Sequence, residues 1–207
     1  MRNLIVFLLI TVFVSGASAQ WESSEGVFFA SGLSMPVSPS AFKDNWKKDL
    51  AFELGYENFV NEHVIVRMGF AYQNLDLDRD KILEDSGGSD IEGFVLTGGG
   101  AEIATLMIDA KLKVNIEADK LQPYAIAGGG LYRFKPSTVR YTYLDTPIFE
   151  IPGTTETKIS AQAGFGFEYY TGKRFNIFFE GRYVIGFTEG ERTKHFPVVA
   201  GIKYLLK

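Results

Sequence analysis

Residues 175–187 read FNIFFEGRYVIGF, a run in which Glu180 and Arg182 stand among phenylalanine, isoleucine, valine and tyrosine. Sorted by parity, Phe175, Ile177, Phe179, Gly181, Tyr183, Ile185 and Phe187 fall on one side, and Asn176, Phe178, Glu180, Arg182, Val184 and Gly186 on the other. A period of two is the repeat of an extended strand, whose successive side chains point to opposite faces. One face of this strand is uncharged and the other carries two opposite charges. Function depends on which of the two looks inward.

The same alternation predicts strands over 26–34, 49–58, 63–73, 103–116, 121–134, 158–170, 175–187 and 194–206. The fourth contains good helix formers. There the interleaving of Ala104, Leu106, Ile108, Ala110, Leu112, Val114 and Ile116 with Asp109, Lys111, Lys113 and Asn115 decides for strand. Connections after the second, fourth and sixth strands are brief, near 60, 117 and 171; those after the first, third and fifth cover 35–48, 74–102 and 135–157. Hairpins joined in sequence put every short turn at one end of a barrel and every long loop at the other. With 14% aromatic residues, 22 glycines and 46% hydrophobic content, composition favours sheet over helix.

The first 19 residues, MRNLIVFLLITVFVSGASA, combine Arg2, an apolar core over 4–14 and the A-x-A arrangement of Ala17, Ser18 and Ala19. They read as a cleaved secretory leader, followed by one barrel domain over 20–207. The apolar core is shorter than the ~20 residues a helical span needs. The chain has no cysteine, which removes disulfides, thiolate metal sites and lipidation. A net charge of −4 without a basic cluster argues against nucleic acid. Beyond the leader no long apolar run exists, so any membrane crossing must be made by strands.

Taking the greasier parity in each strand gives faces such as Val27, Phe29 and Leu33; Leu50, Phe52 and Leu54; Val66, Met68 and Phe70; and Phe165, Phe167 and Tyr169. In the fifth strand the same choice selects Tyr124, Ile126, Gly128, Gly130, Tyr132 and Phe134. The opposite parity holds Glu53, Glu57, Arg67, Asp109, Lys111, Lys113, Arg133, Lys158, Glu168, Glu180, Arg182 and Lys203, together with small residues including Gly55, Gly69, Ala71, Ala125, Ala127, Gly129, Gly164 and Gly166. Alternation alone also fits a soluble lipocalin-like ligand carrier with its apolar face turned in. Volume decides. The interior of an eight-stranded barrel is just wide enough for side chains to fill, so the small-residue face belongs inside and the bulky face against lipid.

Two expectations follow. Aromatics gather at strand ends as interfacial girdles, with Tyr56, Tyr124, Tyr169, Phe175 and Tyr204 by the short turns and Tyr72, Phe134, Phe187 and Phe196 by the long loops. The lumen charges form an ion network, since an unpaired buried charge is very costly, and Glu53, Glu57, Glu168 and Glu180 are matched to Arg67, Lys113, Arg182 and Lys203. Such a lumen is filled and conducts little.

The segments PYAIAGGGLYRF (123–134), GFGFEYYTGKRFNIFFEGRY (164–183) and FPVVAGIKY (196–204) resemble the fifth strand, the sixth-to-seventh hairpin and the closing strand of the small outer-membrane β-barrel family, which includes the OmpA transmembrane domain, OmpW and opacity-type proteins. The resemblance implies an all-β, eight-stranded antiparallel up-and-down transmembrane barrel with short periplasmic turns and long extracellular loops. It implies an outer-membrane location in a Gram-negative envelope, a monomer surrounded by lipid, and action through surface loops or envelope stabilisation. Its OmpW branch implies passage of small hydrophobic compounds.

Nothing in the sequence calls for catalysis. His63 and His195 fall at opposite ends of the barrel, so they cannot share a metal, and His195 lies on a strand that does not neighbour that of Ser160. Asp76, Asp78 and Asp80 begin like a calcium loop, but Lys81 and Gly87 stand where that motif needs glycine and glutamate; the alternation instead extends the third strand. The GGG runs at 98–100 and 128–130 lead into no helix and are not phosphate loops. No catalytic residue, cofactor or metal is expected, and any surface ligand would meet the long loops.

Overall fold

The computed structural model describes residues 25–88, 91–114, 120–172 and 174–206. Strands are numbered in chain order. Eight of them are long: β1 (Glu25–Ser38), β2 (Asp49–Phe59), β3 (Val64–Leu75), β5 (Ala101–Lys113), β6 (Leu121–Pro136), β9 (Glu156–Tyr170), β10 (Phe175–Gly186) and β11 (Thr193–Leu205). They form a closed antiparallel barrel in which β1 meets both β2 and β11. Along the closing seam Gly26 pairs with Leu205 and Pro36 with His195, so the sheet has no free edge. Each predicted strand is present to within a few residues. Asn115 and Ile116, the turn over 117–119, Lys173 and the leader lie outside the described residues.

The long connections differ from the expected loops. Residues between β3 and β5 supply β4 (Phe94–Gly98), and those between β6 and β9 supply β7 (Val139–Tyr143) and β8 (Thr146–Ile151). These three pair as a separate sheet in the order β4-β7-β8. Nor does the third strand continue through Asp80. Leu77 forms an isolated bridge to Trp46, and a short helix, Arg79–Asp85, begins where Asp78 accepts a hydrogen bond from the Lys81 amide. A second short helix, Ser40–Asn45, follows β1 and points Phe42 into the barrel mouth, where it packs with Leu75, Ala101, Ile103 and Tyr132.

The apolar face is outside. Phe29, Leu54, Met68, Phe165 and Phe179 are all more than half exposed, while Glu168 and Glu180 are fully buried. This excludes a soluble carrier with an apolar cavity. One strand reverses the expectation. In β6 the residues Tyr124, Ile126 and Tyr132 are buried in the lumen, Leu131 is exposed, and Ala125, Ala127, Gly129 and Arg133 share its outward parity. Arg133 is therefore not a lumen residue, and Tyr124 and Phe134 are not girdle aromatics. The cause is space: Gly128 faces Asp109, and a Cβ there would lie 2.1 Å from Asp109 Oδ1, whereas the two tyrosines fill the lumen above and below.

Candidate functional site

The lumen is the part of the molecule where charge is concentrated. Arg67 projects from β3 and reaches the opposite wall, where its Nη1 donates to both oxygens of Glu180 on β10, at 3.0 and 2.8 Å. Its other nitrogens lie 3.4 Å from Glu53 and 3.8 Å from Glu57, and its guanidinium stacks 3.8 Å from the Phe28 ring centre. Arg182, two residues from Glu180 on the same inward face, contacts Glu180 through Nε at 3.0 Å and forms a two-point pair with Glu53. The opening run thus tolerates two charges because both face this cluster.

Toward the short-turn end a second knot forms. Lys111 of β5 bridges Glu57 at 3.3 Å and Glu168 at 2.8 Å. Lys203 of β11 binds the same two acids, Glu57 at 3.0 Å and Glu168 in a shorter contact. Tyr124 donates its hydroxyl to Glu180 at 2.8 Å, and its ring lies 3.9 Å from Lys111 Nζ, tying the two knots together. Asp109 accepts two hydrogen bonds from the Gln162 amide at 2.8 Å, and Asn176 donates to Glu168 at 2.8 Å. Strands β2, β3, β5, β6, β9, β10 and β11 are braced by this one network. The low-dielectric interior strengthens such pairs, and their number offsets the large desolvation cost that a single pair would not recover.

Nine of the twelve charges expected in the lumen are buried there: Glu53, Glu57, Arg67, Asp109, Lys111, Glu168, Glu180, Arg182 and Lys203. Lys113 is half-buried at the lower edge, with its ammonium over the Phe59 ring at 4.6 Å rather than on a carboxylate. Lys158 sits at the upper rim and pairs with Glu189. Arg133 faces outward. Sequence reading overlooked three neutral members: Gln162 and Asn176, whose inward parity was legible, and Tyr124, hidden by the wrong choice of face in β6.

Above the charges the lumen changes character. His195 is fully buried, with Nε2 at 3.2 Å from Gln73 Nε2 and its ring 5.9 Å from that of Tyr132. Ser160 donates instead to Met107 Sδ, so the two do not form a nucleophile and base. The mouth is then stoppered by Phe42, whose ring meets those of Trp46 and Phe134 at 5.6 and 5.9 Å; Trp46 Nε1 donates to the Gly99 carbonyl at 3.1 Å. Among the described residues no group of three or more His, Asp or Glu side chains is placed to hold a metal.

A barrel with bulky apolar side chains outside and paired ions within is built for lipid surroundings. The family model for the outer membrane protein beta-barrel domain matches residues 5–203. The chain belongs to this family. As an outer membrane β-barrel it resides in the outer membrane of a Gram-negative envelope. Its fold is shared with neisserial surface protein A, at 10% identity and a TM-score of 0.60 over 87% of this chain and 96% of that one. A major outer membrane protein of Thermus thermophilus aligns at 11% identity and a TM-score of 0.56, over 90% and 100%. The attachment invasion locus protein Ail of Yersinia pestis, solved with the heparin analogue sucrose octasulfate, aligns at 14% identity and 0.50, over 89% and 100%. No curated protein matches the chain.

Proposed function

We propose that this outer-membrane barrel is a closed scaffold that works from its surface loops, without catalysis and without a steady aqueous path. What supports the reading is the lumen: ions from six strands interlock at its centre, an apolar cluster of Phe28, Ala30, Ala51, Phe178 and Val199 packs beside them, and Phe42 closes the mouth. The long connections, which in this architecture lie outside the cell, carry a sheet of their own with Phe149 60% and Ile148 57% exposed. Contact with a surface partner belongs there. The rigid barrel itself would serve as an envelope anchor.

Purified protein in planar bilayers is expected to show no large, steady current; sustained open conduction overturns the closed-lumen reading. A strain whose residues 139–151 are replaced by a short Gly-Ser turn separates the two surface roles. Loss of cell attachment with detergent resistance retained supports the loops, and retained attachment overturns them. Passage of small hydrophobic compounds through the wall is the second reading. It is favoured by one observation: the β10–β11 pairing lapses between Gly181 and Val184, opposite Pro197, which has no N–H to donate.

A further inference from the structure

The outer wall carries two depressions that share one strand. At the long-loop rim lies a polar pocket of about 380 Å³ formed by Ser38, Pro39, Ser40, Glu191, Arg192 and Lys194. Its two cations outnumber its single carboxylate, and neither has an ion-pair partner among the described residues. Lys194 belongs to the lipid-facing parity of β11, paired with Ser38 of β1 and Ile185 of β10. The Arg192 guanidinium lies 5.2 Å from the ring centre of Phe187, an aromatic at the membrane edge. The next outward residues down β11, Phe196 and Val198, leave the pocket and enter an apolar groove of about 640 Å³.

That groove exists because β6 turns small residues outward. Its floor is Ala125 and Ala127 of β6, Ala163 of β9 and Gly181 of β10, with Ala127 directly opposite Ala163 and Gly181 opposite Phe165. Phe165 is 76% exposed and stands beside this floor as a wall. Two residues of strand separate Lys194 from Phe196, about 7 Å. Cations flanked by serine hydroxyls thus sit at headgroup depth, directly above a furrow cut into the established lipid-facing surface. The chemistry matches a molecule with an anionic phosphate and a hydrocarbon tail.

We propose that this wall binds one phosphorylated lipid of the outer leaflet, with its phosphate between Arg192 and Lys194 and an acyl chain along the Ala127–Ala163 furrow. The full chain in detergent is incubated with equimolar dipalmitoyl phosphatidic acid, dipalmitoylglycerol or inorganic phosphate, and bound molecules are counted by native mass spectrometry. One phosphatidic acid is expected per barrel, with dipalmitoylglycerol retained at least tenfold less and a tenfold excess of inorganic phosphate displacing nothing. R192Q/K194Q and A127L/A163L are each expected to lower retention at least tenfold, with heat-dependent gel mobility confirming that both barrels fold. K47Q/K48Q, which removes cations elsewhere, leaves retention unchanged. Equal retention of the two lipids, displacement by inorganic phosphate, wild-type retention in either of the first two variants, or an equal loss in K47Q/K48Q overturns the proposal.

Discussion

In β10 alternate side chains are buried in the lumen or turned to lipid, and each has a defined solvent; in β8 all six residues, Thr146–Ile151, are exposed. Both segments are strands rich in phenylalanine and isoleucine, yet they are held by different means. β10 is fixed by cross-barrel contacts, because a slip of one residue would move Glu180 and Arg182 into lipid. Among the described residues the outer sheet is held by its ladder, the ring contacts of Tyr141 with Phe94 and Phe149, the hydrogen bond from the Thr142 hydroxyl to the Val95 carbonyl, the exposed Arg140–Glu150 pair, and a single buried side chain, Leu96. Interior satisfaction makes a wall, and a sheet with little interior has far fewer contacts to fix it.

The largest test of that contrast is Glu180→Ala. It removes the shared partner of Arg67 and Arg182 and leaves buried guanidinium nitrogens uncompensated, with an expected loss of about 3–5 kcal/mol in urea unfolding followed by gel mobility. A loss under about 1 kcal/mol would mean that the lumen is wet enough to solvate the orphaned cations. Phe42→Ala comes next. Its ring is 4% exposed and contacts Trp46 and Phe134, so about 3 kcal/mol is expected for the mouth, read as faster amide exchange at Ile103 and Tyr132. Replacing 139–151 by a short turn should leave both numbers unchanged; coupling would show that the outer sheet helps to close the barrel.

How legible each region was follows from the same distinction. Membrane strands announce themselves by period two and by the absence of charge on one face; β2, β3 and β10 were readable residue by residue, and β9 and β11 everywhere but at the rim, where Lys158 and Lys194 sit. β6 was not, since small residues occupy both parities: Ala125, Ala127 and Gly129 on one, Gly128 and Gly130 on the other. Volume then could not tell the faces apart, and the aromatics pointed outward although Tyr124 and Tyr132 are the lumen's filling. The pairing across the barrel depends on stagger, which no local pattern encodes. The outer hairpin was hidden because its turn is unusual. Leu144 and Asp145 both have positive φ, 44° and 63°, at a place where Asn-Gly would have marked a type I′ turn.

That turn supplies a smaller test. Left-handed backbone costs a leucine about 1–2 kcal/mol relative to glycine, so Leu144→Asn with Asp145→Gly is expected to tighten the hairpin by about 1 kcal/mol. Amide exchange across β7 and β8 should slow about fivefold while barrel unfolding stays the same. Slowing that spreads into β6 or β9 would join the two regions into one cooperative unit.

The smallest effect separates the regions by salt. Arg140 and Glu150 stand directly opposite each other on β7 and β8, 3.4 Å apart, and both side chains are more than half exposed. Arg140→Ala is expected to cost the outer sheet about 0.5 kcal/mol or less, because water competes for both ions and ordering two long side chains opposes the gain. At about 1 M salt the Debye length falls to ~3 Å, and even that difference should vanish. The Glu180→Ala loss should persist at the same salt, since Glu180, Arg67 and Arg182 are buried and buried pairs are screened far less than exposed ones. If salt instead erases the Glu180 effect, the ions of the barrel are solvated much as those of the outer sheet are, and the lumen is an open aqueous path.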